Sequence, residues 1–270
     1  MSNQKSNTNA VSFGSWGWFL IIICILYQMM YSAFAVDGIN GYGLNLAAML
    51  SETSGMTVTS DMLTAVLTPI GIVCCLLGVF FTNLVYKKGT KIVATVSCAG
   101  MAAGVVFMGN ITTFTMYVVG LFITQVFGTC LAFAVHHGFI GSWFPTRKGV
   151  VMGWTTMGLP LTSMILVPFV TWCMSGGIGW KGFCYVLAVI LVLLAVLTFT
   201  MLTNTPEEKG CYPDNMRPEE RIEKALISVG KQELQSMIED GKTIEVNCHF
   251  CNKHYPVTVE RLKELLEMAR

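Results

Sequence analysis

The stretch GSWFPTRKGVVMGW, residues Gly141–Trp154, decides how the larger part of this chain folds. Arg147 and Lys148 at its centre separate two intervals, 92–146 and 149–180, that contain no Asp, Glu, Lys or Arg. A helix needs about 20 mostly apolar residues to cross the hydrocarbon core of a bilayer. Long uncharged intervals on both sides of a basic pair therefore predict membrane-spanning helices joined by a charged loop.

Charge divides the chain of 270 residues into two parts. Residues 1–203 hold three acidic and seven basic residues, whereas residues 204–270 hold the other thirteen acids and ten bases. Such a shift in charged content indicates a domain boundary. The net charge of +1 describes neither part, and without a basic stripe we expect no nucleic-acid partner.

The uncharged intervals predict six transmembrane helices. The interval 92–146 is long enough for two of them, with a turn at MGNITT (Met108–Thr113). The six are expected near 16–36, 62–86, 92–108, 112–140, 149–172 and 182–203. The predicted fold class is therefore an all-α membrane protein, followed by a small soluble α+β domain.

The basic residues predict the orientation. KKGTK (Lys87–Lys91) and TRKG (Thr146–Gly149) follow helices two and four, while the predicted loops 37–61 and 109–111 contain no Lys or Arg. Since basic loops stay in the cytoplasm, both termini are expected there, with the chain in the inner (plasma) membrane. The alternative is a cleaved leader ending at AFA (Ala33–Ala35).

Polar residues in the apolar part are candidates for a substrate pathway, because such groups are costly at membrane depth. Four of them lie along the first predicted helix and its exit: Gln28, Tyr31, Asp37 and Asn40. Gln28 and Tyr31 are three residues apart and share a helix face. His136 lies toward the cytoplasmic end of helix four. The alternatives are helix packing for the first four and contact with the membrane interface for His136.

Four segments resemble major facilitator transporters, particularly the oxalate/formate antiporter-like group. GSWFPTRKGVVMGW is similar to their loop between helices four and five, and GWKGFCYVLAV (Gly179–Val189) to the start of helix six. TPEEKGCYPDN (Thr205–Asn215) resembles the segment after helix six, and YSAFAVDGINGYGLNL (Tyr31–Leu46) the first helix and its exit. The resemblance covers about residues 12–215.

This resemblance implies one half of a twelve-helix fold that holds a small carboxylate or other small solute between two six-helix halves. Two copies of the chain, paired as a homodimer, would be needed to supply both halves. In the loop after helix two, TNLVYKKGTK (Thr82–Lys91), Thr82 and Tyr86 depart from the family's glycine and acid. The implied gating residues are Lys87, Gly89, Lys91, Arg147 and Lys148.

The polar tail predicts a small folded domain. From Pro218 the pattern indicates two helices, a strand, the stretch CHFCNKHY (Cys248–Tyr255), a second strand and a closing amphipathic helix. A domain this small often needs a staple such as a metal. The predicted organisation is a cytoplasmic segment, a transmembrane domain, a linker and a zinc-knuckle-like domain, at residues 1–15, 16–203, 204–217 and 218–270.

Cys248 and Cys251, spaced C-x-x-C, are candidates for half of a zinc site, because structural zinc takes four Cys or His ligands. A redox-active dithiol and two incidental thiols are the alternatives. Cys211 and His254 are candidates for the missing ligands. Zinc is the only cofactor that the sequence suggests.

ERIEKALISVGKQELQSMIEDGKTIEVNCHFCNKHYPV (Glu220–Val257) resembles the C-terminal zinc domain of the HslO redox-regulated chaperones, over about residues 219–270. In that family a preceding C-x-C supplies two further thiolates. Asn215 and Arg217 occupy the matching positions here. The resemblance therefore implies an incomplete zinc site and does not carry the family's redox switch to this chain.

Three hypotheses follow. The first is a half-transporter of the major facilitator type, in a bilayer, with a vestigial zinc tail. The second is a redox-regulated, chaperone-type zinc module tethered to the membrane. The third is a non-functional fusion or chimera of the two. No paired carboxylates, nucleotide-binding loop or Ser/His/Asp arrangement supports an enzyme.

Overall fold

The structure is a computed structural model that describes residues 13–216, 218–239, 244–248 and 253–268. The chain divides into two compact units, Met1–Lys209 and Gly210–Arg270. Each unit has its own buried core, so each is described by itself.

The first unit is helical. Its first six helices are α1 (Gly14–Ala35), α2 (Ile39–Ser54), α3 (Ser60–Ala65), α4 (Leu67–Lys88), α5 (Thr90–Met108) and α6 (Phe114–Thr129). The remaining five are α7 (His136–Trp143), α8 (Lys148–Thr156), α9 (Gly158–Leu161), α10 (Val167–Met174) and α11 (Gly179–Met201).

Two π-helical segments connect four of these helices into two longer ones. The first π segment, Cys130–Val135, joins α6 to α7, and the second π segment, Thr162–Leu166, joins α9 to α10. Within the described residues, six helical stretches are long and apolar enough to cross a membrane. They are Gly14–Ser54, Ser60–Lys88, Thr90–Met108, Phe114–Trp143, Lys148–Met174 and Gly179–Met201.

Local sequence sets several of the helix ends. The side chains of Thr59 and Thr113 cap α3 and α6 by accepting hydrogen bonds from backbone N–H groups three residues later. Gly89 ends α4 with φ of 85°, a left-handed value that glycine adopts without steric cost. The turn predicted at Met108–Thr113 is confirmed, because it separates α5 from α6.

The predicted loop at 37–61 is wrong, because most of it is helix α2. The first helix breaks for three residues only, and the N–H groups of Val36, Asp37 and Gly38 all donate to the carbonyl of Ser32. Charged residues at 37, 52 and 61 leave no long uncharged interval here, but the apolar residues of α2 recur at helical spacing and are buried. These are Ile39, Tyr42, Leu46 and Leu50.

Packing in the first unit centres on α5, which contacts α6 and α11, while α1 contacts α6, α8 and α9. A hydrogen bond of 2.5 Å between the Tyr27 and Thr198 hydroxyls joins α1 to α11 inside this core. In contrast, α4 exposes large apolar side chains, including Leu76 and Val79, which are 74% and 71% exposed. This face suits contact with lipid chains.

The second unit contains α12 (Pro218–Val229), α13 (Lys231–Glu239), β1 (Ile244–Cys248), β2 (Lys253–Val257) and α14 (Val259–Met268). The two strands form an antiparallel hairpin. The predicted order of helix, helix, strand, strand and helix is confirmed. Its core combines one apolar face from each helix with β2, through Ile222, Leu226, Leu234, Val257, Leu262 and Leu265.

Candidate functional sites

Helix α1 is hydrogen-bonded to both π segments. The side-chain amide of Gln28 donates from Nε2 to the carbonyl of Ala132, at 3.0 Å, in the first π segment. From the second, the Thr162 hydroxyl donates to the carbonyl of Met29, at 3.2 Å. Since π-helical turns are frequent at functional sites, this pairing around α1 defines the first candidate site.

Three of the five predicted path residues lie around the first π segment. Beside Gln28, the ring of Tyr31 makes an edge-to-face contact with Phe133, with centroids 5.7 Å apart. His136 follows the segment directly and is 1% exposed. Its Nε2 is 2.7 Å from the hydroxyl of Thr155. His136 therefore packs inside the helix bundle and does not reach outward to the interface.

The other two predicted path residues lie at the break between α1 and α2. Asp37 accepts a hydrogen bond of 3.1 Å from the Ser32 hydroxyl, and Asn40 is exposed. Among the described residues, the Asp37 side chain is therefore hydrogen-bonded at the break between α1 and α2. Within that part of the chain, no hydrogen bond connects it to Gln28 or His136. Sequence reasoning missed Thr155 and Thr162, for which the one signal was a hydroxyl within an uncharged interval.

The second candidate site, the basic cavity, has a volume of about 640 Å³. It is bounded by α4, by the first π segment with α7, and by the residues after α11. Gly89 and Lys148 both line it, so the two predicted gating loops lie at the same end of the unit. The other polar lining residues are Thr82, Tyr86, Thr90, His137, Ser142, Asn204 and Thr205.

Asn204, which sequence reasoning missed, connects three elements at this end. Its Oδ1 accepts a hydrogen bond of 2.9 Å from the backbone N–H of Lys91 in α5. Its backbone carbonyl accepts another of 2.9 Å from the Ser142 hydroxyl in α7. Next to it, the indole of Trp143 donates to the carbonyl of Thr203 at 3.3 Å. The chain after α11 is thereby fixed to α5 and α7.

The predicted gating residues have different surroundings. A Cβ atom on Gly89 would lie 2.8 Å from Oδ1 of Asn204, so a larger residue cannot fit without displacement. The ammonium of Lys91 lies 5.2 Å from the centre of the Phe199 ring. The guanidinium of Arg147 lies 6.0 Å from the Phe13 ring, a cation–π separation. Lys87 is exposed at the end of α4.

The thiol hairpin, defined here as β1, β2 and the residues between them, carries the predicted metal ligands. Strand β1 ends on Cys248, which pairs with Lys253, and His254 pairs with Asn247. Cys251 lies outside the described residues. Cys211 is partly buried near the start of the second unit.

The described residues show no complete set of zinc ligands. In the part of the chain that the structure describes, no group of three or more His, Cys, Asp or Glu side chains could hold a metal ion. Asn215, at one of the two positions that match the C-x-C of HslO, lies in a 3-10 turn and offers no thiolate. Structural zinc needs four ligands, of which one C-x-x-C can provide two.

Comparisons with known proteins find a similarity for the tail. The family model described as Hsp33 protein matches residues 193–258. The 33 kDa chaperonin of Lachnoclostridium phytofermentans is 46% identical over 74 residues, which are 27% of this chain and 24% of that protein. The 33 kDa chaperonin of Thermodesulfovibrio yellowstonii is 53% identical over 47 residues, 17% of this chain and 16% of that protein.

The molecule thus combines a helical part of membrane type with a tail similar to the Hsp33 family. The predicted resemblance of the C-terminal part is confirmed. The chain spans about a quarter or less of the length of the curated relatives it matches. The family match begins at residue 193, inside α11.

Proposed function

We propose that this chain is a membrane protein whose first unit works as one half of a transporter of the major facilitator type. Its solute is a small carboxylate or a similar small molecule, and two copies of the chain form the two walls of the site. The chain lies in the inner membrane with both termini in the cytoplasm. The tail is a remnant of a chaperone-type zinc domain.

The observation that carries this proposal is the arrangement of α1 between the two π segments. Polar side chains in a membrane-spanning bundle are costly and mark substrate paths. Gln28, Tyr31 and His136 all lie around the first π segment. A π-helical turn breaks the regular hydrogen-bond pattern, so it is a natural position for a helix to bend. Alternating access needs such bending or rocking of helices.

Uptake into vesicles tests this proposal. The full chain is reconstituted into liposomes, and the entry of radiolabelled oxalate and formate is measured against empty liposomes. We expect saturable uptake that falls at least tenfold in Gln28→Ala, with little change in the control Asn83→Ala, an exposed amide that is not among the predicted path residues. No uptake of any carboxylate by a folded protein would contradict the proposal.

The Hsp33 match favours a second candidate function. In this alternative the helices anchor a redox-regulated, chaperone-type module at the membrane. The tail would then suppress aggregation of an unfolded protein after oxidation, and Cys248→Ser would abolish that effect. If neither uptake nor suppression is measured with folded protein, the chain is a fusion in which neither ancestral function survives.

A further inference from the structure

The basic cavity extends from the basic loops toward the middle of the helix bundle. Lys148, Gly89 and Asn204 line one end, and Gly78, about eleven residues before Gly89 on α4, lines the other. At 1.5 Å per helical residue this distance is about 16 Å. It is roughly half of the ~30 Å hydrocarbon thickness of a bilayer. The cavity therefore has the length of a lipid headgroup joined to the first part of an acyl chain.

The end at the loops favours an anion. Lys148 is exposed, and the described lining residues include no Asp or Glu. Because Oδ1 of Asn204 accepts the Lys91 N–H, its amide nitrogen is left as a donor. Lys87 and Lys88, both exposed in the last turn of α4, add positive charge near this end.

The deep end favours an apolar group. Its wall includes Gly78 of α4 and Phe133 of the first π segment, and Phe133 is 45% exposed. Val79, adjacent to Gly78 in the sequence, is 71% exposed on the apolar face of α4. A Cβ atom on Gly78 would meet nothing within 4 Å, so open space lies beside the helix. A small hydrophilic anion would leave this apolar end unused.

We propose that the basic cavity binds an anionic phospholipid, with its phosphate at Lys148 and Asn204 and an acyl chain beside Gly78. Basic pockets between helices on the cytoplasmic side of a membrane protein suit such headgroups. The proposal concerns a site other than the cluster around Gln28, and it does not depend on solute transport.

Native mass spectrometry of the full chain, purified in detergent, tests the proposal. The probes are phosphatidylglycerol, phosphatidylcholine with the same acyl chains, and inorganic phosphate as a competitor. Lys148→Gln removes the cation, and Gly78→Leu fills the deep end without a Cβ clash. The matched controls are Lys181→Gln, another exposed base of the first unit, and Gly71→Leu, where the Cβ also meets nothing.

We expect phosphatidylglycerol to bind more tightly than phosphatidylcholine. Lys148→Gln should weaken that binding about fivefold, Gly78→Leu should also weaken it, and the two controls should not. Equal binding of both lipids, or no effect of either cavity variant, would overturn the proposal. Displacement by inorganic phosphate at similar concentration would identify a free anion as the ligand. A dimer that Gly78→Leu dissociates would identify a second copy as the occupant, and either result would also overturn it.

Discussion

Gly89 shows how one residue can hold a basic loop in place. Its φ of 85° is unfavourable for any residue with a Cβ atom, and that atom would lie 2.8 Å from Oδ1 of Asn204. Gly89→Ala should therefore lower the free energy of unfolding by about 1–3 kcal/mol from the backbone alone. Displacement of Asn204 from the Lys91 N–H should add to this loss. The midpoint of thermal unfolding in detergent measures the effect.

Gly141→Ala is the matched control for Gly89→Ala. Gly141 also lines the basic cavity, but it lies inside α7, and a Cβ atom there meets nothing within 4 Å. Alanine is the better helix former, so this variant should unfold at the same or a higher temperature. Equal midpoints for the two variants would show that the contact between Gly89 and Asn204 contributes nothing.

His136 depends on Thr155 for its one hydrogen bond to another side chain among the described residues. The Nδ1 atom of His136 is already buried with no hydrogen-bond partner in that part of the chain. Thr155→Val keeps the shape of the side chain but removes the partner of Nε2. We expect a loss of about 1–3 kcal/mol in unfolding free energy, the cost of an unsatisfied buried polar group.

The control for this change is the next residue in the sequence. Thr156 is exposed, and its hydroxyl donates to the carbonyl of Met152 within its own helix. Thr156→Val should leave the thermal unfolding midpoint within a degree or two of the wild-type value. If Thr155→Val behaves in the same way, His136 has another partner in the membrane-embedded protein.

At the scale of elements, the sequence predicted the features that depend on local composition and periodicity. It did not predict those that depend on contacts between distant residues. The number of apolar stretches follows from hydropathy, and the hairpin follows from strand and helix periodicity. Helix α2 was missed because charged residues at 37, 52 and 61 divide this region, and only the long uncharged intervals around it were predicted as helices. In the structure Asp37 lies at a short break, and Asn40 is already in α2. Single polar residues do not end a helix whose buried face continues.

The π segments could not be predicted from local sequence. Pro168 cannot donate to the carbonyl of Met164 four residues earlier, which is the single local signal for the second segment. The first contains no proline, and its hydrogen bond to Gln28 connects residues 104 positions apart. Predicting that contact requires knowledge of the packing of α1. The residues of the candidate path were therefore predicted from their polarity alone. Their arrangement around the first π segment was not predicted.

The helices of the tail should be stable only together. Leu262 of α14 is completely buried and belongs to a core with six buried apolar members among the described residues. Leu262→Ala should cost about 2–5 kcal/mol, which is most of the stability expected of a unit of this size. Hydrogen exchange of the full chain should then show lost protection throughout α12–α14, with α5 and α11 unchanged.

Val229→Ala provides the control for the tail, because Val229 lies in α12 and is 50% exposed. This variant should keep the exchange protection of the wild-type tail. Protection lost only in α14 of Leu262→Ala would mean that the helices fold independently and that the shared core contributes little.

For the whole molecule, the Hsp33 family match covers part of the second unit and the end of the first. The tail is similar to Hsp33 proteins, yet it spans about a quarter of their length or less. The change in charge near residue 203 is visible in the sequence. The Hsp33 match, however, begins inside α11. The boundary in charge therefore lies about ten residues after the start of the family match.

Zinc content per chain tests how these parts are used in the assembled molecule. One C-x-x-C supplies two ligands, so two chains are required for a site of four thiolates. We expect purified protein to contain about one zinc ion for every two chains and to have the mass of a dimer. A chelator, or Cys248→Ser, should remove the metal and shift the mass toward that of a monomer. The same dimer would supply both halves of the proposed transporter.

Two other results would contradict this prediction in different ways. One zinc per chain that is lost in Cys211→Ser would show a site within one chain, in which Cys211 replaces a ligand of the missing C-x-C. Protein without zinc that still forms a dimer would assign dimerisation to the helices and leave the thiol hairpin without a structural metal. Because His254 pairs with Asn247 beside Cys248 in the hairpin, His254→Ala tests whether the imidazole contributes. If two chains share four thiolates, that variant should keep its full zinc content.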